Sequence, residues 1–419
     1  MKLVSSVSLA LALAMGSTVM LAPQTAVAAK KEKAPKPKAA ELSKEFRPLI
    51  GAAQAASQKK DVAATEAALA AAKAVAKLPD ELFYIGSITY ELGLMKSDTA
   101  MQRSGIDQMV DAGSTLPTNL GLLNMESGRR AYQAGEYQKA ISRLAEADRL
   151  GVKDINRLIL NAEANFKLNQ WAQGLSALGK GVDEQKAAGQ PVPDDWFRRG
   201  VSVALKSKDT ALISEWSHKL VRNNPTASNW RDALLIMRDS IKLDAKSQMD
   251  VARLMYDTKS LAGERDFNDY ASLALEGKLP WEAQAAIQAG IDSKAVSDTS
   301  KPIKDRLAEA KAMAPGETAA LNIDQKKALT SGTGVYALNV ANALVSQGNN
   351  AAALELLGVA EKRGGVDNGI VNMLRGIALT RLGRAAEART AFDAVTTPPK
   401  SNIAGFWKLY LDLGAAKTM

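Results

Sequence analysis

Residues 131–147 read AYQAGEYQKAISRLAEA, and the fold turns on whether this is one helix or two. Downstream of Gly135, the residues Ala140, Leu144 and Ala147 are spaced by four and three, which places them on one helical stripe. Upstream, Leu122, Leu123, Gly128 and Ala131 mark a second helix with a small-residue face. Glycine tolerates the left-handed backbone that ends a helix, so Gly135 is read as the turn between them.

The same arrangement recurs. Asn169 takes the turn position 34 residues later, followed by Gly174, Leu178 and Gly181. Gly348 precedes Ala353, Leu357 and Ala360, and Gly383 precedes Ala388, Phe392 and Val395. Lys278 is followed by Ala283, Ile287 and Gly290, and Lys208-Asp209 forms a further turn, with Pro225 ending its second helix. Thr65, Leu69 and Ala72 give the first hairpin. Frequent alanine, 46% hydrophobic residues and only 5% aromatics suit close-packed helices better than sheets. The expected fold is all-α, an α-solenoid of antiparallel helical hairpins.

In the unit at 121–154, Gly128, Tyr137, Ala140, Leu144 and Ala147 supply the small, aromatic and large apolar positions of a tetratricopeptide repeat, which this unit resembles. The units at 334–368 and 369–401 are similar to it. The resemblance implies a right-handed superhelix whose first helices line a concave groove. Stretches 95–118, 182–195 and 243–330 break the period. We therefore expect an N-terminal array over 45–225, an irregular helical region over 226–316 and a C-terminal array over 317–419. DEQKAAGQPVPDD (183–195), DSKAVSDTSKPIK (292–304), APGE (314–317) and TSGTG (330–334) are read as punctuation.

The first 28 residues read as a cleaved signal peptide: Lys2, an apolar run and Ala26-Val27-Ala28 as an A-x-A site. The competing reading is an uncleaved anchor, against which the interrupting serines, Gly16 and Pro23 argue. A periplasmic or secreted protein is expected. Residues 29–44 form a Lys/Pro-rich linker, and the five lysines and one glutamate of residues 30–40 carry much of the formal charge of +9. Contact of this linker with acidic polymer or lipid is one reading, and a solubilising tether is the other. The body is only mildly basic, so no nucleic-acid partner is expected.

Little points to catalysis. With no cysteine and only His218, thiolate chemistry is absent and the supply of imidazole is minimal. His218 is expected on a partly exposed helix near its C-terminus, where the helix dipole favours a cation. Ser57-Gln-Lys-Lys60 lacks companion motifs, and TSGTG lacks the lysine of a phosphate loop and reads as a Ser/Thr helix cap. Asp194, Asp195, Asp266 and Asp269 lack calcium-loop spacing and read as caps. Scattered tryptophans fill helix interfaces. No cofactor, metal or catalytic residue is expected.

The resemblance implies which residues face the groove. In the unit at 121–154 these are Leu122, Met125, Glu126, Arg129, Tyr132 and Gln133; in the next, Asn156, Ile159, Leu160, Glu163, Phe166 and Lys167. The late pair offers Leu338, Asn339, Asn342 and Ser346, then Met373, Ile377, Thr380 and Arg381. Arg129 and Glu163 occupy equivalent positions and are expected to pair across the groove. A chaperone-carboxylate clamp needs lysine and asparagine where Met125 and Arg129 stand, so that ligand is not expected. The leading expectation is a non-enzymatic adaptor that binds an envelope protein or peptide. A scaffold for polysaccharide export or secretion is an alternative, and a helical platform for a glycan-acting enzyme is another.

Overall fold

In the computed structural model, which describes residues 40–116 and 119–414, Gly135 is the turn the periodicity predicts, with φ of +79°. The signal segment and residues 29–39 of the linker lie outside the described residues. All the regular structure among the described residues is helical. The first hairpins are α1 (Phe46–Gln58) with α2 (Val62–Val75), α3 (Pro79–Met95) with α4 (Thr99–Asp111), and α5 (Leu120–Gln133) with α6 (Tyr137–Arg149). Next come α7 (Asn156–Lys167) with α8 (Trp171–Ala187), and α9 (Asp194–Ser207) with α10 (Thr210–Asn223). The middle of the chain holds α11 (Ala227–Ser240), α12 (Ala245–Asp257), α13 (Gly263–Glu276) and α14 (Pro280–Asp292). A long helix, α15 (Lys301–Thr330), precedes α16 (Gly334–Gln347) with α17 (Asn350–Arg363), α18 (Asn368–Arg381) with α19 (Ala385–Asp393), and a closing α20 (Lys400–Asp412).

The predicted turns at Asn169, Lys208, Lys278, Gly348 and Gly383 all adopt positive φ. Lysine and asparagine there carry a backbone cost of roughly 1–2 kcal/mol that glycine avoids, so packing on either side dictates the turn. The packing has a simple rule. A small residue on the first helix faces a large one sixteen positions later on the second. A Cβ added to Gly128 would lie 2.7 Å from Leu144 Cγ, one on Gly376 would lie 2.4 Å from Phe392, and one on Gly200 only 1.9 Å from Trp216. Ala53 and Leu69, Ala162 and Leu178, Ala271 and Ile287, and Ala341 and Leu357 repeat the offset, and all are buried. Helix axes can approach this closely only where one side of the contact is nearly bare backbone.

The segment that leads into α1 is tied by acids at the head of α3. Glu81 accepts the backbone N–H groups of Lys77 and Leu78 and that of Ser43 at 2.7, 3.0 and 2.8 Å. Burial opposes ionisation, but these bonds win and hold the Glu81 carboxyl down to about 2. Neighbouring Asp80 accepts Glu41 N at 2.8 Å and Ser114 Oγ at 2.6 Å.

Two expectations about organisation need correction. APGE at 314–317 is not a break: α15 runs through Pro315, and the expected domain boundary at 316/317 falls inside it. Packing overrides the local breakers, because Ile303 and Ala310 are anchored in the core around α13 and α14, and Leu321 and Ala328 in the core of the last hairpins. Nor does the irregular region stand apart from the C-terminal array. One hydrophobic core joins Val221, Trp230 and Leu254 to Leu344, Phe392 and Trp407. The last hairpins fold back so that α20 packs on α10 and α12, and α16 packs on α14. The C-terminal half is closed upon itself.

His218 illustrates the closure. It is partly exposed, as expected, but it is not a cation: it packs edge-on against Phe406 of α20, with ring centroids 4.1 Å apart. Burial, then Arg222 and Lys408, lower its pKa to about 4. A neutral folded imidazole contributes stability that is complete above pH 6.5 and is lost as pH falls toward 4.

If the sixteen-residue rule governs hairpin packing, Gly200→Ala lowers stability by about 1–3 kcal/mol through overpacking against Trp216. In a Trp216→Leu background, itself destabilised by loss of the buried indole, Gly200→Ala costs less. Urea denaturation of the single and double variants measures both effects, and an unchanged midpoint for Gly200→Ala contradicts the close approach.

Candidate functional site

The expected groove residues divide into two groups. In the N-terminal half they form a partly open strip along the first helices. Met125 is an exception, buried in the seam with Ala131, Leu144 and Ala164 and out of reach of any partner. Tyr132 is half-buried and stacks edge-on against Tyr137 at 5.6 Å. Its hydroxyl pKa is raised by burial and by the nearby Glu163 carboxylate. Gln133, Asn156 and Lys167 are exposed. Asn156 Nδ2 donates to Asp154 Oδ1 at 2.8 Å, which fixes it at the head of α7.

Arg129 and Glu163 do not pair with each other. Arg129 donates to Glu126 on its own helix at 2.6 and 2.8 Å, and Glu126 also accepts Arg130 at 2.6 Å. Glu163 instead receives a bidentate pair from Arg199 of α9, at 2.8 and 2.7 Å, with that guanidinium lying 5.1 Å over the Phe166 ring. The sequence reasoning missed Arg199. Its spacing of 36 residues from Glu163, close to one repeat, was the available signal. Arg198 with Asp232 and Arg231 with Asp266 repeat this link between successive units. Asp266 also accepts Ala262 N at the head of α13, whereas Asp194 accepts the side-chain amides of Asn223 and Asn224 and so bridges to the end of α10 instead of capping α9 as expected.

In the C-terminal half the same repeat positions are covered by the closure. Leu338, Met373, Ile377 and Thr380 are buried, and Arg381 is drawn into an ion pair with Asp257 of α12. Asn342 accepts Arg253 Nη2 at 2.9 Å, while Asn339 remains exposed. Arg253 is 1% exposed and its main partner is Glu282, bound in bidentate fashion at 2.7 and 2.9 Å. Tyr270 Oη donates to Glu282 at 2.8 Å. Burial opposes ionisation of Glu282, but Arg253 overcomes it and holds the carboxyl down to about 2.

Beside this pair opens a cavity of about 750 Å³ between α12, α14, α15, α16 and α18. Asn339, Asn342, Arg253 and Asp250 are among its lining residues. Burial pushes the Asp250 carboxyl up to about 7, only partly offset by Arg253 at 3.6 Å. Among the described residues no group of acids and histidines has a metal-binding arrangement, and no helix is long and apolar enough to cross a membrane.

No protein-family model matches the chain, and no curated protein matches it in sequence. Solved structures do align to it. It is similar at 16% identity to the TPR2AB domain of yeast Sti1 in its pHSP90 complex, over 71% of this chain and 96% of that one, with a TM-score of 0.23. A tetratricopeptide repeat protein from Parabacteroides merdae aligns at 12% identity over 71% of this chain and 99% of that one, with a TM-score of 0.29. The Naa15/Naa10 complex bound to HypK aligns at 12% identity over 89% and 74%, with a TM-score of 0.30.

Asp250 supplies a test of the buried cluster. Its folded pKa lies above the ordinary 3.8, so protonation is favoured more in the folded chain than in the unfolded one. Its contribution to stability is therefore complete below pH 3.8 and is lost as pH rises to about 7. Asp250→Asn removes this dependence. The variant's stability relative to wild type should rise by at least about 1 kcal/mol between pH 5 and pH 8. Urea unfolding at the two pH values measures it, and parallel profiles contradict the burial of that carboxyl. By its own geometry the chain is an α-solenoid of tetratricopeptide-like helical hairpins, open along its first helices in the N-terminal half and closed around a cavity in the C-terminal half.

Proposed function

We propose that the chain is an exported, non-enzymatic scaffold that holds an extended protein or peptide segment of the cell envelope along the first helices α5, α7 and α9. The observation that carries this reading is the strip formed by Tyr132 and the Glu163–Arg199 pair, flanked by exposed Gln133 and Lys167. A half-buried tyrosine set among fixed charges suits a partner that offers alternating apolar and polar side chains. The equivalent positions of the last hairpins are covered, so binding is assigned to the N-terminal half. Export rests on the A-x-A signal read from the sequence. The absence of catalysis is supported by the place of His218, packed between α10 and α20.

Photo-crosslinkers placed at Gln133 and at Lys167 in the native envelope test the assignment. Both positions should trap the same protein, and a crosslinker at Gln138, exposed on α6, should not. Tyr132→Ala together with Arg199→Ala should lower capture at least about tenfold, because few residues dominate such contacts. Equal trapping from both faces, or capture indifferent to the double substitution, counts against the strip.

A further inference from the structure

The cavity of about 750 Å³ lies within the range of small-ligand sites, and its composition is specific. Met249, Leu279, Trp281, Leu321 and Leu338 give it apolar walls. Asp250, with a side chain only 8% exposed, lines the cavity and makes no hydrogen bond among the described residues. Its nearest cation, Arg253 Nη1, stands 3.6 Å away. The Nε and Nη2 of that guanidinium are already engaged by Glu282 and Asn342. Asp250 thus presents to the cavity acceptor capacity that no protein donor takes.

Four acids line the cavity, Asp250, Glu276, Glu317 and Asp324, against three cations, Lys246, Arg253 and Lys278. Of these rim acids, Asp324 accepts the Tyr336 hydroxyl at 2.8 Å, whereas Glu276 and Glu317 have no ion-pair partner among the described residues. The lining thus has an excess of one acid on a chain of formal charge +9, and Arg253 is paired with Glu282. This balance favours a cation over an anion in the cavity.

We infer that the cavity binds a primary ammonium group carried on an apolar body, with Asp250 accepting its N–H and the apolar walls enclosing the rest. Such a group arises from a free small amine or from the lysine side chain of a peptide, and both present the same chemistry to Asp250. The site is distinct from the strip on α5, α7 and α9, and its occupancy does not depend on that strip.

Isothermal titration of the full chain with phenethylamine tests this, with 2-phenylethanol as the neutral analogue. The amine should bind one per chain and at least about tenfold more tightly than the alcohol, the discrimination expected of a charged hydrogen bond in a buried site. Asp250→Asn should abolish the preference, while Arg149→Ala, exposed on α6 and outside both sites, leaves it intact. A terminally blocked Ala-Lys-Ala peptide separates the sources: tighter binding than the free amine assigns a lysine side chain, and weaker binding assigns a small amine. If Asp250→Asn does not fold, Glu317→Gln on the rim replaces it, with an expected loss of a few fold that salt suppresses. Equal binding of amine and alcohol, no binding of either amine, or affinity unchanged in the tested acid variant overturns the inference.

Discussion

The guanidinium of Arg253, sealed in the interior, is the constraint around which the C-terminal half is arranged. A buried charge is tolerated only where acceptors meet it in good geometry, and those acceptors come from separate elements. Glu282 reaches it from α14 and Asn342 from α16, while Tyr270 of α13 supports Glu282. One turn further along α12, Asp257 receives Arg381 from α18, and its backbone carbonyl accepts Tyr410 Oη from α20. Removing one partner of such a pair costs about 3–5 kcal/mol, because the other is left uncompensated. The energy of the pair matters less than its specificity: only the folded-back arrangement of α16, α18 and α20 satisfies both arginines together.

Closure gives one repeat two uses. In the N-terminal half the first helices keep a polar and aromatic face toward solvent, steadied by links such as Glu163–Arg199 that recur at about the repeat length. In the C-terminal half the corresponding face is turned onto α12 and α14 and becomes core, as the burial of Met373 and Ile377 shows. What remains there is a cavity rather than a groove. The two halves thus offer different kinds of surface, one suited to an extended chain and the other to a compact, partly apolar cation.

Local structure was readable because it depends on neighbours in sequence. The turns at Gly135, Asn169, Lys208, Gly348 and Gly383, and the buried stripes after them, follow from helical periodicity and the need for a left-handed cap. Tyr132 and Glu163 were named as groove residues by the family resemblance and not by periodicity. The closure was not readable, because contacts such as His218 with Phe406 span nearly half the chain and leave no periodic trace. For that reason Arg381 and Asn342 were assigned to a groove although they face α12. Pro315 misled for a related reason: propensity breaks a helix locally, whereas packing at both ends of α15 holds it together. The concentration of Phe406, Trp407 and Tyr410 in the last helix was the available hint that it seeks a large apolar partner.

The central claim is that the C-terminal helices return to pack on α10 and α12. Arg222 of α10 and Asp412 of α20 meet at 2.9 Å, an exposed contact worth only about 0–1 kcal/mol and safely replaced. Because the sequence has no cysteine, Arg222→Cys with Asp412→Cys creates two unique sites for nitroxide labels. Pulsed electron–electron distance measurement on that variant should give one narrow population at the short end of the accessible range. A broad distribution centred at long distance would show an open solenoid and contradict the account.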